Sequence, residues 1–215
     1  MKRLIIMFVL LLLLVPTLFG QVSAVVRQVS GKVELKAPGA GWVPARTGMN
    51  VAKGAFISTG FNSSAVLEMG PSVVNVKQLT RMQLEELIQK EGTVSTGLYL
   101  NVGKVNVKVK TTKGLSNDFK LRTPISTAAV RGTEWDTDGF VWEVREGIIA
   151  IYSRLGELYS AMANQKVRVT AKGYLQSPFD LAEEDTEVST DAGDTGGTGG
   201  QGAYTAKGSI KITWQ

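Results

Sequence analysis

Short segments of alternating residues, separated by glycines, constrain the fold of this chain more than any other feature of its sequence. The clearest segment is Lys104–Lys110 (KVNVKVK), in which valines alternate with polar residues. Because successive side chains of a strand point to opposite faces, this alternation predicts one buried and one solvated face. Similar segments occur at Gly31–Lys36, Ala65–Met69, Val73–Lys77, Phe140–Val144, Gly147–Tyr152 and Lys166–Leu175. We therefore predict an all-β fold of stacked short antiparallel strands, either a sandwich or a solenoid-like β-roll.

The segment Leu79–Gly92 (LTRMQLEELIQKEG) fits two secondary structures. As a helix it would be capped by Thr80 and would place Leu84, Leu87 and Ile88 on one side. As a strand it would continue the preceding hairpin through Met82 and Leu84. Intrinsic propensity favours the helix and the all-β setting favours the strand, so both alternatives stay open.

The N-terminus has the order of a secretory signal. Two basic residues precede an apolar run, Leu4–Val15, and small residues follow at Gly20 and Ala24. A run of about 12 residues is shorter than the roughly 20 that a membrane-spanning helix needs. We therefore predict a signal peptide over residues 1–24, removed after Gly20 or Ala24, and an exported protein that is periplasmic or secreted. Only an uncleaved signal segment would contact a membrane.

Composition changes towards the C-terminus. Residues 25–177, the predicted all-β domain, contain 20 Lys and Arg against 12 Asp and Glu, a net charge of +8. Residues 178–215 contain 2 against 7, a net charge of −5. Acidic and glycine-rich residues dominate 178–202, which predicts a disordered linker. Residues 203–215 form a tail whose end, SIKITWQ, alternates like a strand.

The chain contains neither cysteine nor histidine. This excludes zinc sites with nitrogen or sulfur ligands, Ser-His-Asp triads and Cys-His pairs. Glu134, Asp136 and Asp138 share one strand face, but a calcium loop needs further oxygen ligands that the sequence does not supply. Acids at this spacing are typical of a solvated strand face. We therefore predict a protein that is not an enzyme and has no metal and no cofactor.

A row of lysines and one tryptophan are candidate binding residues. Lysines on one strand face typically serve solvation or protect a sheet edge, but they could also bind an anionic polymer. Trp135 and Trp142 lie within predicted strands and are expected in the core, whereas Trp42 lies in a Pro/Gly-rich segment and is the better candidate for exposure. The candidate binding residues are Lys104, Lys108, Lys110, Arg131 and Trp42.

The segment 122–138 (RTPISTAAVRGTEWDTD) predicts a structural corner. Gly132 would supply a backbone angle that other residues avoid, and Arg131 would pair with a nearby carboxylate such as Glu134. The alternative is that Arg131 lies at the surface and grips an anionic ligand. The predicted corner residues are Thr123, Pro124, Arg131, Gly132 and Thr133.

From about Val26 to Leu175 the chain resembles the FecR-domain family, named for the iron-dicitrate sensor of bacterial envelopes. The segment FKLRTPISTAAVRGTEWDT is similar to the family's Thr-Pro…Ala-x-x-Arg-Gly-Thr-x-(aromatic) signature. Other similar segments precede and follow it in the family's order: GKVEL, GAFISTGFNSSAVLEMG, LYLNVGKVNVKV, VREGIIAIY and VRVTAKGYL. The resemblance implies an all-β extracytoplasmic domain in which Arg131–Thr133 forms a corner.

The resemblance also implies a role in the envelope. Family sensors carry a sigma-regulating segment before a membrane helix, whereas only Met1–Arg3 precede the apolar run here, so we expect a stand-alone binding module. We predict an envelope protein as its partner, with a role in signalling or scaffolding. The alternative partner is an anionic or glycan polymer, such as peptidoglycan or lipopolysaccharide. Because the protein is exported, we expect no nucleic acid partner.

Overall fold

Eighteen strands in two nine-stranded sheets make up the computed structural model of the protein, which describes residues 23–112 and 114–178. In spatial order, the first sheet contains β4 (Asn50–Val51), β1 (Ala24–Ser30), β6 (Ser64–Met69), β7 (Ser72–Val76), β10 (Val105–Val109), β13 (Glu134–Thr137), β14 (Val141–Glu146), β17 (Lys166–Val169) and β18 (Leu175–Gln176). The second sheet contains β3 (Trp42–Pro44), β2 (Val33–Lys36), β5 (Phe56–Thr59), β8 (Arg81–Lys90), β9 (Thr93–Val102), β11 (Ser116–Arg122), β12 (Ser126–Val130), β15 (Ile148–Ser153) and β16 (Leu158–Met162).

In both sheets the spatial order of the strands follows their order in the sequence, except that β4 lies beyond β1 and β3 lies beyond β2. The chain adds one or two strands to one sheet, crosses to the other sheet, and continues from one end of the sandwich to the other. The described strands pair antiparallel, as predicted, except β9 and β11, which pair in parallel with Leu121 opposite Leu98. Between β9 and β11 the chain crosses to the first sheet, where it forms β10. It then re-enters the second sheet, so β11 runs in the same direction as β9.

The space between the sheets is filled by the apolar side of the alternating strands. Val105, Val107 and Val109 are buried, as the alternation predicted. Trp135 and Trp142 are fully buried, which confirms their predicted place in the core. The Trp135 ring meets the ring of Phe119 edge-on, with centroids 5.6 Å apart, and this contact joins β13 of the first sheet to β11 of the second.

The ambiguous segment 79–92 is a strand. β8 pairs with β9 and β5, and Met82 and Leu84 alternate into the core. The helical alternative is therefore wrong. The helical propensity of the segment is outweighed because β5 and β9 supply hydrogen-bond partners on both edges of β8, and because one face of β8 packs against the core.

Several predicted segments lie outside the described residues. These are the signal peptide apart from its last two residues, the linker 178–202 apart from its first residue, and the tail 203–215. β1 begins at Ala24, which is buried and pairs with Met69 and Val51. Cleavage after Gly20 would retain this buried residue, whereas cleavage after Ala24 would remove it. Among the described residues, no helix has both the length and the apolar character needed to cross a membrane.

Candidate functional site

Of the three lysines on the predicted β10 face, Lys108 is neutralised by the neighbouring strand β13. β13 lies beside β10, with Lys108 opposite Glu134, and the Lys108 ammonium donates to the Glu134 carboxylate. This hydrogen bond raises the pKa of Lys108, and the attraction of the two charges adds to it. Asn106 accepts a hydrogen bond from Asn75 at 2.9 Å. The middle of this face, Asn106 and Lys108, is therefore paired with polar groups of neighbouring strands.

Lys104 lies beyond the N-terminal end of β10, beside acids. It lines a depression of about 220 Å³ together with Asp136, Asp138, Glu143 and Lys166. Lysines and carboxylates alternate in this depression. It therefore presents no uniformly positive surface, and a binding role for Lys104 stays a prediction.

The three alternating acids of the segment 134–138 each have a structural partner. Glu134 pairs with Lys108, and the nearly buried Asp136 accepts a hydrogen bond from the Arg145 guanidinium. The Asp138 carboxylate accepts from the backbone N–H groups of residues 140 and 141, at 2.9 and 2.8 Å, and so closes the turn before β14. No group of three potential metal ligands occurs in the described part of the chain.

Trp42 lies on the edge strand of the second sheet, whereas the lysines lie on or beside β10 in the middle of the first sheet. It begins the edge strand β3, opposite Lys36, and 39% of its surface is exposed. The Arg81 guanidinium stacks 5.5 Å from the centre of its ring. The structure therefore does not bring Trp42 together with the β10 lysines, and a binding role for Trp42 stays a prediction.

The predicted corner consists of two turns at opposite ends of β12. The first joins β11 to β12, where the Thr123 hydroxyl oxygen accepts hydrogen bonds from the backbone N–H groups of Ser126, at 3.0 Å, and Ile125, at 3.3 Å. Pro124 lies within this turn. The second turn, Arg131–Thr133, carries the chain from β12 in one sheet to β13 in the other.

Glycine is needed at position 132 for space and not for its backbone angle. Gly132 does not have a positive φ, so the reason given from sequence was wrong. A Cβ atom there would lie 2.6 Å from the Thr111 Oγ1, closer than real Cβ contacts. Space is equally short at Gly147, where an added Cβ atom would lie 2.7 Å from the Gly132 carbonyl oxygen.

Arg131 does not make the predicted pair with Glu134, which pairs with Lys108. Its side chain is exposed and forms no ion pair with another described residue. It lines a depression of about 520 Å³, which shares Thr111 and Gly132 with a second depression of about 480 Å³. The polar lining of the first depression includes Asn117 and Arg131, and that of the second includes Lys108, Lys110, Thr133 and Glu146.

A second surface was not found from the sequence: the outer face of β15 and β16. Ile148 lies opposite Met162 and Tyr152 lies opposite Leu158, and these four side chains are 45–59% exposed. Neither strand contains a charged residue. Other strands of the same sheet, by contrast, contain charged residues, such as the ion pair of Arg122 with Glu85. The missing charges in IIAIYS and LYSAM are the sequence signal that could have identified this β15–β16 face.

The edge position of β16 adds to its exposure. The other described edges are short or contain proline: β4 and β18 have two residues each, and β3 ends in Pro44. β16 has five residues and lies at the end of its sheet. Natural edge strands are usually protected by charge, proline or short length, because their free backbone groups invite pairing. β16 has none of these protections.

Two packed, mostly antiparallel sheets define a class of fold, the all-β sandwich. The family model described as "FecR protein" matches residues 55–150, a little less than half of the chain. The resemblance predicted from sequence is thereby confirmed. The family is regulatory and non-enzymatic, and the match supports a signalling or regulatory role at the cell envelope.

Some solved structures are also similar to the chain. Two crystal structures of a "putative anti-sigma factor" from Parabacteroides distasonis ATCC 8503 are similar to it, with TM-scores of 0.48 and 0.47 and 16% identity. Each similarity covers 56% of this chain and 57% of that protein. The matched region thus spans a little more than half of that protein's length. No curated protein matches the chain.

Proposed function

We propose that this protein is a non-enzymatic interaction module on the extracytoplasmic side of the bacterial envelope, periplasmic or secreted, which binds a protein partner through the β15–β16 face. The observation that carries the proposal is the uncharged apolar surface on an unprotected edge strand. The FecR match supports the regulatory setting.

The β15–β16 face offers a partner two kinds of contact. The free edge of β16 can add a strand, which gives backbone hydrogen bonds. The four exposed apolar side chains add hydrophobic contact. Fully burying one such side chain stabilises by roughly 1.5–3 kcal/mol. Since about half of each side chain is exposed, four of them contribute roughly 3–6 kcal/mol before the entropy cost of association.

The alternative, an anionic or glycan polymer bound along the lysine row, has less support. Lys108 is paired with Glu134, and Lys104 lies beside several carboxylates. A phosphate or carboxylate polymer would have to compete with these acids.

The test is a cross-linked pull-down from the native envelope fraction at low and moderate salt, with three forms of the protein. The wild type is compared with the double variant Leu158→Lys/Met162→Lys, which places charges on the β15–β16 face. The matched control is Val102→Lys, since Val102 is 60% exposed but lies outside this face.

We expect one protein to be retained by the wild type and the control at both salt concentrations, and to be lost from the double variant. An apolar interface is not screened by salt, whereas contacts between exposed charges are. Equal capture by all three forms would contradict the assignment of the face. Capture of peptidoglycan or lipopolysaccharide that disappears as salt rises would support the polymer alternative instead.

A further inference from the structure

We propose that one end of the sandwich is a lipid-binding tip, which inserts two apolar side chains, Phe61 and Leu79, between the headgroups of an anionic bilayer. The tip consists of two neighbouring turns: residues 60–63 join β5 to β6, and residues 77–80 join β7 to β8. This surface is distinct from the β15–β16 face. It is also distinct from the signal segment, the only part of the chain for which the sequence predicted membrane contact.

Exposed apolar side chains are unevenly distributed over the turns. Among the described residues, five large apolar side chains lie outside the strands with 50–72% of their surface exposed, and they are Phe61, Leu79, Phe140, Leu155 and Tyr174. All five occur at the end of the sandwich where β6 begins and β7 ends. Single exposed apolar residues are ordinary, but a group at one end marks an interaction surface.

The two turns of the tip are joined by hydrogen bonds. The Leu79 N–H donates to the Gly60 carbonyl at 3.1 Å, and the Asn62 N–H donates to the Gln78 Oε1 at 2.9 Å. Phe61 and Leu79 therefore project from one cross-linked unit. Because the backbone of this unit is already ordered, placing the two side chains at a surface costs little further conformational entropy.

The backbone of Leu79 supports a functional reason for its side chain. Leu79 has a φ of +54°, a left-handed conformation that suits glycine or asparagine and disfavours leucine. The other described non-glycine residues with a positive φ are polar: Asn62, Glu91 and Asn164. More than half of the Leu79 surface is exposed, so burial in the core does not offset this strain. Strain of this kind is typically retained at functional sites.

Lysines surround the two apolar side chains. Lys77 lies on the second turn, and its N–H donates to the carbonyl of the neighbouring Lys104 at 2.9 Å. Lys32 lies beside the first turn, where its carbonyl accepts from the Gly60 N–H at 2.8 Å. Lys32 is 3.7 Å from Glu34, whereas Lys77 is exposed and forms no salt bridge within the described part of the chain. The two turns contain no acidic residue, so the tip carries positive charge.

Apolar side chains flanked by lysines fit the surface of an anionic bilayer. Phe and Leu side chains enter the boundary between headgroups and acyl chains, while lysine stems extend to the phosphates. The negative surface potential attracts each lysine, and stable attachment requires both contributions. Both apolar side chains lie on turns at the ends of strands, so they can meet an extended surface without rearrangement of the sheets.

The test is insertion of the full chain into vesicles, followed by a polarity-sensitive fluorophore on a single introduced cysteine. Because the chain contains no cysteine, each variant carries one label. Asn101→Cys labels the end of β9 that pairs with Arg81, directly after the second turn, and Ile88→Cys labels the opposite end of β8. β1 also begins at that opposite end, so attachment through the N-terminal segment would not favour position 101. The vesicles contain equal parts of phosphatidylglycerol and phosphatidylcholine, or phosphatidylcholine alone.

We expect anionic vesicles to shift the fluorescence at position 101 to the blue, with no shift at position 88 and a weaker response at high salt. Phe61→Ser and Leu79→Asn should each raise the lipid concentration of the half-maximal shift by about tenfold, since each removes an apolar side chain from the interface. Lys77→Gln should raise it by about fivefold. Asparagine suits the left-handed backbone at position 79, so weaker insertion of that variant does not reflect unfolding.

The matched controls are Ile88→Thr and Lys53→Gln, which remove an exposed apolar side chain and an exposed lysine at the opposite end. Both should leave the half-maximal lipid concentration unchanged. Equal shifts at positions 101 and 88, an equal response to both kinds of vesicle, or unchanged insertion of Leu79→Asn would each overturn the proposal. A shift caused by lipid-free envelope protein and not by vesicles would overturn it in favour of a protein partner. The two turns lie away from β15 and β16 in the strand order, so lipid insertion and protein capture can fail separately.

Discussion

The steric role of Gly132 can be tested by adding one methyl group and then removing the atom that it meets. In Gly132→Ala the new Cβ would lie 2.6 Å from the Thr111 Oγ1, about 0.8 Å short of the 3.4 Å at which ordinary contact begins. Overpacking a well-packed core costs about 1–3 kcal/mol, and the lower end, about 1 kcal/mol, applies here because Thr111 is exposed and its hydroxyl can turn aside. Because Gly132 does not have a positive φ, alanine also gains about 0.4–1 kcal/mol from the reduced entropy of the unfolded chain. We expect a net destabilisation of roughly 0–0.6 kcal/mol.

The same substitution should reverse its sign in a Thr111→Ala background. Without the hydroxyl, the nearest atom to the new Cβ is the Thr111 Cβ, at 3.9 Å, which is an ordinary contact. Only the unfolded-state effect remains, so Gly132→Ala should then stabilise the protein by about 0.4–1 kcal/mol. Thr111 is exposed, and its own replacement should be nearly neutral.

The assay is urea unfolding of the four proteins of this double-mutant cycle, followed by the fluorescence of the buried tryptophans. Gly103→Ala is the control, because Gly103 has a φ of +102° and its added Cβ would lie 2.4 Å from the Thr80 Cα. That variant should be destabilised whatever stands at position 111. If Gly132→Ala costs the same in both backgrounds, the contact with Thr111 is not the reason for the glycine.

Two further outcomes follow from single side chains. Thr133→Val should stabilise the protein by about 1 kcal/mol in urea unfolding, because it removes a buried hydroxyl with no partner among the described residues; a loss of stability would show that the hydroxyl is paired. Arg27 donates two hydrogen bonds of 2.8 Å to Glu68, which lower the pKa of that carboxyl. Arg27→Gln should therefore raise the pKa of Glu68 in an NMR titration, and an unchanged value would contradict the pairing. The stabilisation from this pair is present at neutral pH and is lost as pH falls through the Glu68 pKa.

More of the fold than of the candidate sites could be predicted from the sequence. The alternation in Lys104–Lys110 indicated which side chains are buried, and the placement of Trp135 and Trp142 in the core is confirmed. These predictions succeed because the direction of a side chain along a strand depends on neighbours in sequence. Propensity failed in the segment 79–92, where pairing with β5 and β9 outweighed the helical preference.

The candidate sites depended on contacts between distant parts of the chain. Arg131 lies near Glu134 in the sequence. However, β10 pairs with β13, so Lys108 lies opposite Glu134 and forms the ion pair with its carboxylate. The reason for Gly132 was also misread, since Thr111 reaches it only after the chain has crossed between the sheets.

Periodicity and composition are local properties, so the class of fold, the faces of the strands and the absence of histidine and cysteine chemistry can be read directly from the sequence. Which strand lies unprotected at a sheet edge, and which carboxylate a described lysine such as Lys108 meets, follows only from the three-dimensional arrangement. These properties depend on strand order and register, which arise from pairings between residues far apart in the chain.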